Sequence, residues 1–210
     1  FLSGCKARLR SIEPAGAELT RCGIAIDLGT TSVSVQIVDL LTADILGTET
    51  DYNLQISCGA DIISRINYSL KSGRLHELQE KAIESINRLI QRLLDRLSLE
   101  STSLYSGVIS GNTTMTHLLL GLNPDTIRLE PYTPTLLEVP VLSAKALNLN
   151  MEPDSPLFFS PAVGSYVGGD ITAGLLCTEI ESNTDEISLF LDIGTNGELV
   201  MGNSDFIMTC

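Results

Sequence analysis

The 210-residue chain sets 13 Lys and Arg against 26 Asp and Glu, a formal net charge of −13, in a composition that is 43% hydrophobic. The acidic balance excludes an electrostatic footprint for nucleic acid, so a bound polyphosphate has to be held by backbone N–H groups and a metal ion. The apolar content is ample for a core and the chain is long for one simple domain, so one bilobed unit or two small lobes is expected.

Residues 1–21 have no sustained period, contain Pro14 and Gly16, and read as a linker from something upstream. From Cys22 to Thr50, dense β-branched and small apolar residues predict strands over about 22–28, 32–39 and 43–50, joined as an antiparallel meander. After Gly59 the period becomes helical. "ADIISRINYSL" is one amphipathic stretch with Asp61 and Arg65 as an i,i+4 pair. "LHELQEKAIESINRLIQRLLDRLSL" is a long helix with Leu75, Leu78, Ala82, Ile86, Leu89, Leu93 and Leu97 on one stripe and Glu77, Lys81, Glu84, Arg88 and Arg92 on a solvated face.

A strand near 104–110 then runs through Gly111 and Asn112 into a helix over 113–120, a second place where N–H groups can meet an anion. Residues 121–156, studded with Pro124, Pro131, Pro134, Pro140, Pro153 and Pro156, predict a long irregular excursion with one short helix around 143–148. A strand over 157–160, a glycine-rich loop and a helix over 170–180 follow. Strands near 187–192, 197–202 and 205–210 close the chain.

A meander followed by alternating elements describes an α/β, ribonuclease-H-like lobe: a mixed five-stranded sheet flanked by helices. Residues 22–186 form this first lobe, and 187–210 begin a second, truncated one that opens on the same strand–turn–strand pattern. The chain starts at Phe1 and ends on the apolar "DFIMTC", which reads as a piece of a longer protein. Its last strands, with Phe206, Ile207 and Met208, should pack on the first lobe, pair with another chain (a homodimer is one form of this) or be poorly ordered.

The repeated pattern carries the chemistry. "GIAIDLGTTSVSVQIVD" (Gly23 to Asp39) and "SLFLDIGTNGELVMG" (Ser188 to Gly202) each run an apolar strand into Asp and Gly. An ionised carboxylate ending an apolar strand is costly unless paired or metal-linked, so Asp27 and Asp192 are expected to face Mg²⁺ through water. Gly29 and Gly194 permit positive φ and close backbone approach to phosphate oxygens. Thr30, Thr31 and Ser32, then Thr195, Asn196 and Gly197, add neutral donors, although "TNG" also fits an ordinary hairpin turn.

Asp170, after Gly168 and Gly169 at a helix start, reads from its position as an N-cap. Asn112, Thr113 and Thr114 cap a helix or face the same cleft. His117 and His76 have no nucleophile or metal partner in the pattern and read as structural. Cys5, Cys22, Cys58, Cys177 and Cys210 show no zinc or iron–sulfur spacing, as expected of mostly buried free thiols in a reducing compartment. No apolar run reaches the roughly 20 residues of a membrane span and no signal-peptide pattern is present, so the expected location is cytoplasmic.

This alternation resembles the superfamily of acetate and sugar kinases, heat-shock chaperones and actin, in which two such lobes grip a nucleotide's phosphates from opposite sides. "DLGTTS" matches its first phosphate loop and "DIGTNG" its second. Within it, "GIAIDLGTTSVSVQIVD", "CGADIISRI", "SGNTTMTHLLLGLNP", "VGSYVGGDITAGLL" and "LDIGTNGELVMGN" together resemble the ATPase domain of the reductive activators of corrinoid proteins. That resemblance implies ATP and Mg²⁺ as ligands and a corrinoid protein as partner, reduced from Co(II) to Co(I). It implies a [2Fe–2S] cluster only in an upstream domain, and an adenosine-binding glycine loop beyond this chain. It also suggests a role for Asp170 in orienting or deprotonating the attacking water, and one for "CGADIISRI" near the cleft or a partner. A small-molecule kinase of the same superfamily and a non-catalytic nucleotide-gated scaffold are the alternatives.

Overall fold

Strict alternation of side chains along the first strands decides which residues meet the core and which meet the cleft. In the computed structural model, which describes residues 20–182 and 185–210, β1 (Cys22–Leu28), β2 (Ser32–Asp39) and β3 (Ile45–Tyr52) form the expected meander. Ile24, Ile26 and Leu28 of β1 and Val33, Val35 and Ile37 of β2 are buried together. Period two then puts Ala25, Asp27, Ser34 and Gln36 on the opposite face. Apart from Thr20 and Arg21, the 1–21 segment lies outside the described residues, as does Cys5.

Helices α1 (Ile62–Ser69), α2 (Arg74–Leu97) and α3 (Thr113–Leu120) cover the apolar face. The predicted α2 stripe packs inward, with Leu78, Ala82, Ile86, Leu89 and Leu93 at most 1% exposed. Its charged side is not purely solvated. Arg92 pairs with Asp51 at 2.8 Å and Arg96 pairs with Glu49, so two acids of β3 are held by α2. β3 starts two residues later than its predicted 43 because Asp39 Oδ1 accepts from Leu41 N–H (2.7 Å) and Thr42 N–H (3.2 Å), and Ala43 takes φ 65°. That Asx-type turn lengthens the connection.

β4 (Leu104–Gly111) runs parallel to β1, and β6 (Pro156–Phe159) parallel to β4. The irregular excursion contains α4 (Asp125–Arg128), a 3-10 turn at Ala144–Leu147 and a two-residue strand, β5 (Leu142–Ser143), antiparallel to β6. The sheet therefore has six strands, in the order β3-β2-β1-β4-β6-β5, where five were expected. β5 was invisible in sequence because two paired residues carry no period. The sheet's five larger strands, in the order β3-β2-β1-β4-β6 with β2 antiparallel and the other four parallel to one another, are those of a ribonuclease-H-like lobe.

α5 spans Gly169–Leu175, shorter than the predicted 170–180. Thr178 Oγ1 donates to Leu175 O at 2.8 Å and Thr178 N–H takes the same carbonyl at 3.0 Å, a local bond that replaces the next helical turn. β7 (Ser188–Ile193), β8 (Gly197–Gly202) and β9 (Ile207–Thr209) make a separate antiparallel sheet. It packs on α5, where Val200 and Phe190 meet Val167, Ile171 and Leu175. Its other side exposes Leu189, Leu191 and Ile193. Phe206, Ile207 and Met208 are also exposed, at 40%, 42% and 60%.

Of the four described cysteines only Cys22 is buried. Cys58 is half-buried and Cys177 and Cys210 are exposed, so the expectation of mostly buried thiols does not hold. His117 is structural: Nδ1–H donates to Thr113 O at 2.7 Å and Nε2 accepts from Thr135 N–H at 3.1 Å, which fixes the tautomer. Burial lowers its pKa.

Candidate functional site

The polar face of β1, β2 and β4 forms one wall of a cleft of about 1030 Å³, and the β7–β8 turn with the exposed side of α5 forms the other. The two predicted turns meet across it, Thr31 Oγ1 lying 2.8 Å from Thr195 Oγ1. Gly29, Thr30, Thr31, Ser32, Gly194, Thr195 and Asn196 all line the cleft, while Gly197 is the first residue of β8 and pairs with Ile193.

The two turns are not equivalent. Leu28 pairs with Val33 in the first, whereas Ile193 pairs with Gly197 in the second, one residue fewer apart. Asp27 therefore faces Ser34 across its hairpin, and Asp192 faces Glu198. Neither turn glycine adopts the left-handed conformation; among described glycines only Gly73 and Gly121 do. A Cβ on Gly29 would sit 2.6 Å from Ser32 O, so close approach explains that glycine. At Gly194 the nearest atom would be Asn196 O at 3.8 Å, so neither φ nor crowding requires it.

Four carboxylates, Asp27, Asp170, Asp192 and Glu198, share the cleft, and among the described residues no Lys, Arg or His lines it. Asp27 does not enter the core with its strand neighbours Ile26 and Leu28. Period two turns it to the cleft, where it keeps contact with solvent. Desolvation by the walls, then the charges of Asp170 and Asp192, raise its pKa. Desolvation also raises Asp170, opposed by hydrogen bonds from Ile171 N–H and its own N–H and helped by Asp192. Glu198 is raised by desolvation and then by Asp170 and Asp192.

Asp170 is not the N-cap of α5. Gly168 holds that position, and Asp170 Oδ1 accepts from Ile171 N–H at 2.9 Å inside the first turn. Its placement depends on two glycines. A Cβ on Gly168 would come within 2.4 Å of Asn112 Cα, and one on Gly169 within 2.4 Å of Ser160 O. Asn112 caps α3 through Oδ1 and Met115 N–H (2.9 Å), and its Nδ2 donates to Thr30 Oγ1 at 3.0 Å, so it both caps and faces the cleft. Thr113 Oγ1 donates to Gly164 O at 2.6 Å, and Thr114 is buried.

Like charges crowded together without a cation favour protons or a metal ion. Among the described residues no three His, Cys, Asp or Glu side chains are arranged to hold an ion unaided. The donor set fits Mg²⁺, which keeps several waters and is commonly shared between one or two carboxylates and phosphate oxygens.

Sequence reasoning missed Glu198, whose signal was its position opposite Asp192 in the second hairpin. It also misassigned Arg65. The expected Asp61–Arg65 pair does not form: Asp61 makes a capping box with Ser64, and Arg65 is fully buried beneath the first turn. The signal lay in the helical stripe, because Arg65 shares the inward face of α1 with Ile66 and Ser69.

A family model described as the RACo middle region matches residues 22–183. The corrinoid activation enzyme RamQ of Eubacterium limosum is 35% identical over 184 residues, which cover 87% of this chain and 30% of that protein. A solved structure described as the reductive activator for corrinoid, iron-sulfur protein superposes with a TM-score of 0.90 at 45% identity, covering 93% of this chain and 31% of that one. The chain thus spans about a third of the length of the relatives it matches. With that family match and fold, the chain belongs to the RACo middle region family.

Proposed function

We propose that this chain is the phosphate-binding part of an ATPase domain in a reductive activator, which couples ATP hydrolysis to reduction of Co(II) to Co(I) in a corrinoid protein. The observation that carries the reading is the cleft itself: two hydroxyl-bearing turns in contact, four carboxylates around them and, among the described residues, no basic side chain. A cleft of that charge repels bare polyphosphate and accepts it together with a divalent cation.

In this reading residues 22–186 are one lobe and 187–210 begin the next. Asp27 and Asp192 hold Mg²⁺ through water, and the ion neutralises phosphate charge. N–H and hydroxyl groups of Gly29 to Ser32 and of Gly194 to Gly197 face the phosphates from opposite walls. Asp170 accepts a hydrogen bond from the attacking water, and its raised pKa makes it a stronger base than an ordinary carboxylate. The names of the corrinoid-activating relatives support the partner class. The reading puts the full-length protein in the cytoplasm and any [2Fe–2S] cluster in another of its domains.

The test is ATP turnover by the full-length protein with and without a Co(II) corrinoid protein, with Co(I) followed by its absorption. Stimulation of turnover and appearance of Co(I) are expected, and Asp170→Asn should lower turnover about 100-fold or more. Turnover that depends on a sugar instead would sink the activator reading. Unchanged hydrolysis in Asp170→Asn would remove that residue from the chemistry.

A further inference from the structure

The carbonyls of the first turn are held from behind. Gly29 O accepts from Asn53 Nδ2 at 2.9 Å, Thr30 O from Arg65 Nη2 at 2.5 Å and Thr31 O from Asn53 N–H at 2.9 Å. In a trans peptide, C=O and the following N–H point in opposite directions. Drawing these carbonyls inward turns the N–H groups of Thr30, Thr31 and Ser32 outward, toward the cleft those residues line.

The central anchor is a buried cation. Arg65 is 0% exposed; Nε donates to Gly59 O at 2.9 Å and Nη1 to Gln55 Oε1 at 3.2 Å, with Met115 Sδ 3.1 Å away. All these partners are neutral. Burial brings the guanidinium down to about 10, which leaves it charged at neutral pH. Gln55 and Asn53 are buried as well, and Gln55 Nε2 donates to Leu78 O of α2 at 2.8 Å, so the network is braced against the core. Among the described residues no carboxylate pairs directly with it, and only the more distant Asp61 and Cys58 favour its charge, so its hydrogen bonds to neutral groups are what hold it in place.

We propose that Arg65 is a positioning residue for the phosphate-binding turn. Its planar guanidinium fixes the Thr30 peptide so that the N–H groups of the turn are preset toward the cleft and the phosphate oxygens of the nucleotide. The inference rests on the ATP reading above.

Steady-state ATP hydrolysis by the full-length protein tests it, comparing wild type with Arg65→Lys, Arg65→Met and Gln55→Glu. Lys keeps the charge but cannot span Thr30 O, Gly59 O and Gln55 Oε1, so its KM for Mg·ATP should rise about tenfold, and that of Met further. Gln55→Glu keeps the guanidinium but gives it a carboxylate that competes with Thr30 O for its N–H groups, so KM should rise while the thermal midpoint holds. A merely structural role would lower the active fraction, and with it the apparent kcat, at constant KM. If Arg65→Met does not fold, the other two variants carry the test. Wild-type turnover with KM within twofold of normal in both Arg65→Lys and Gln55→Glu would overturn this inference alone. A wild type that neither binds nor hydrolyses ATP would overturn the ATP reading and this inference together.

Discussion

Gly29 and Gly194 occupy matching places in two copies of one turn, yet only Gly29 is sterically required. A methyl group at Gly29 would meet Ser32 O at 2.6 Å, a backbone atom that cannot rotate away, whereas at Gly194 it meets nothing closer than 3.8 Å. Gly29→Ala should therefore distort the first turn and lower stability by about 1–3 kcal/mol, read from urea unfolding. Gly194→Ala should stay within about 0.5 kcal/mol of wild type. If the second turn approaches phosphate through its backbone, the KM of Gly194→Ala for ATP still rises several-fold. An unchanged KM would assign Gly194 to the hairpin alone, the ordinary reading that "TNG" already allowed.

At the scale of elements, α5 carries Asp170 to the cleft because glycines let it seat against its neighbours. Gly168 brings the helix start against Asn112 and Thr113, where a Cβ would lie 2.4 Å from Asn112 Cα and 2.7 Å from Thr113 N. Gly168→Ala is expected to cost about 1–3 kcal/mol and to lower ATP turnover by more than the unfolded fraction explains, because α5 and Asp170 shift together. Turnover that falls only in proportion to folded protein, by circular dichroism and assay on the same sample, would sink that coupling. The strands that build the cleft wall were legible because period two holds over seven or eight residues in β1 and β2. β5 was not, because its two residues are selected by the edge of β6 rather than by any pattern of their own. α5 was read too long because apolar residues continue to Cys177, while the stop comes from the hydroxyl of Thr178. Arg65 was read as the i,i+4 partner of Asp61 because that rule concerns neighbours along a helix, whereas its hydrogen-bond partners Thr30, Gln55 and Gly59 lie outside α1.

Across the whole molecule, an acidic protein gathers four of its carboxylates into one cleft, and that has a consequence for stability. Asp27, Asp170 and Glu198 each have a folded-state pKa above the ordinary values of 3.8 for Asp and 4.5 for Glu. Below those ordinary values they are protonated in both folded and unfolded chains, and their full contribution to stability is present. As pH rises through the raised folded values, the folded protein holds protons the unfolded chain has released, and stability is lost. His117 acts the other way: its pKa is lowered from 6.5, so its contribution is present above 6.5 and lost on acidification through the folded value. A divalent cation in the cleft cancels the first trend and leaves the second untouched. Mg²⁺ should thus raise the thermal midpoint more at pH 8 than at pH 5, up to a gain of about 2.7 kcal/mol at a hundred times its Kd. Asp27→Asn combined with Asp192→Asn should raise the cation-free midpoint at pH 8 and abolish the response to Mg²⁺. Calorimetry of wild type and double variant at both pH values, with and without Mg²⁺, decides the matter. Equal Mg²⁺ shifts in the two proteins would place the cation elsewhere than between the two turns.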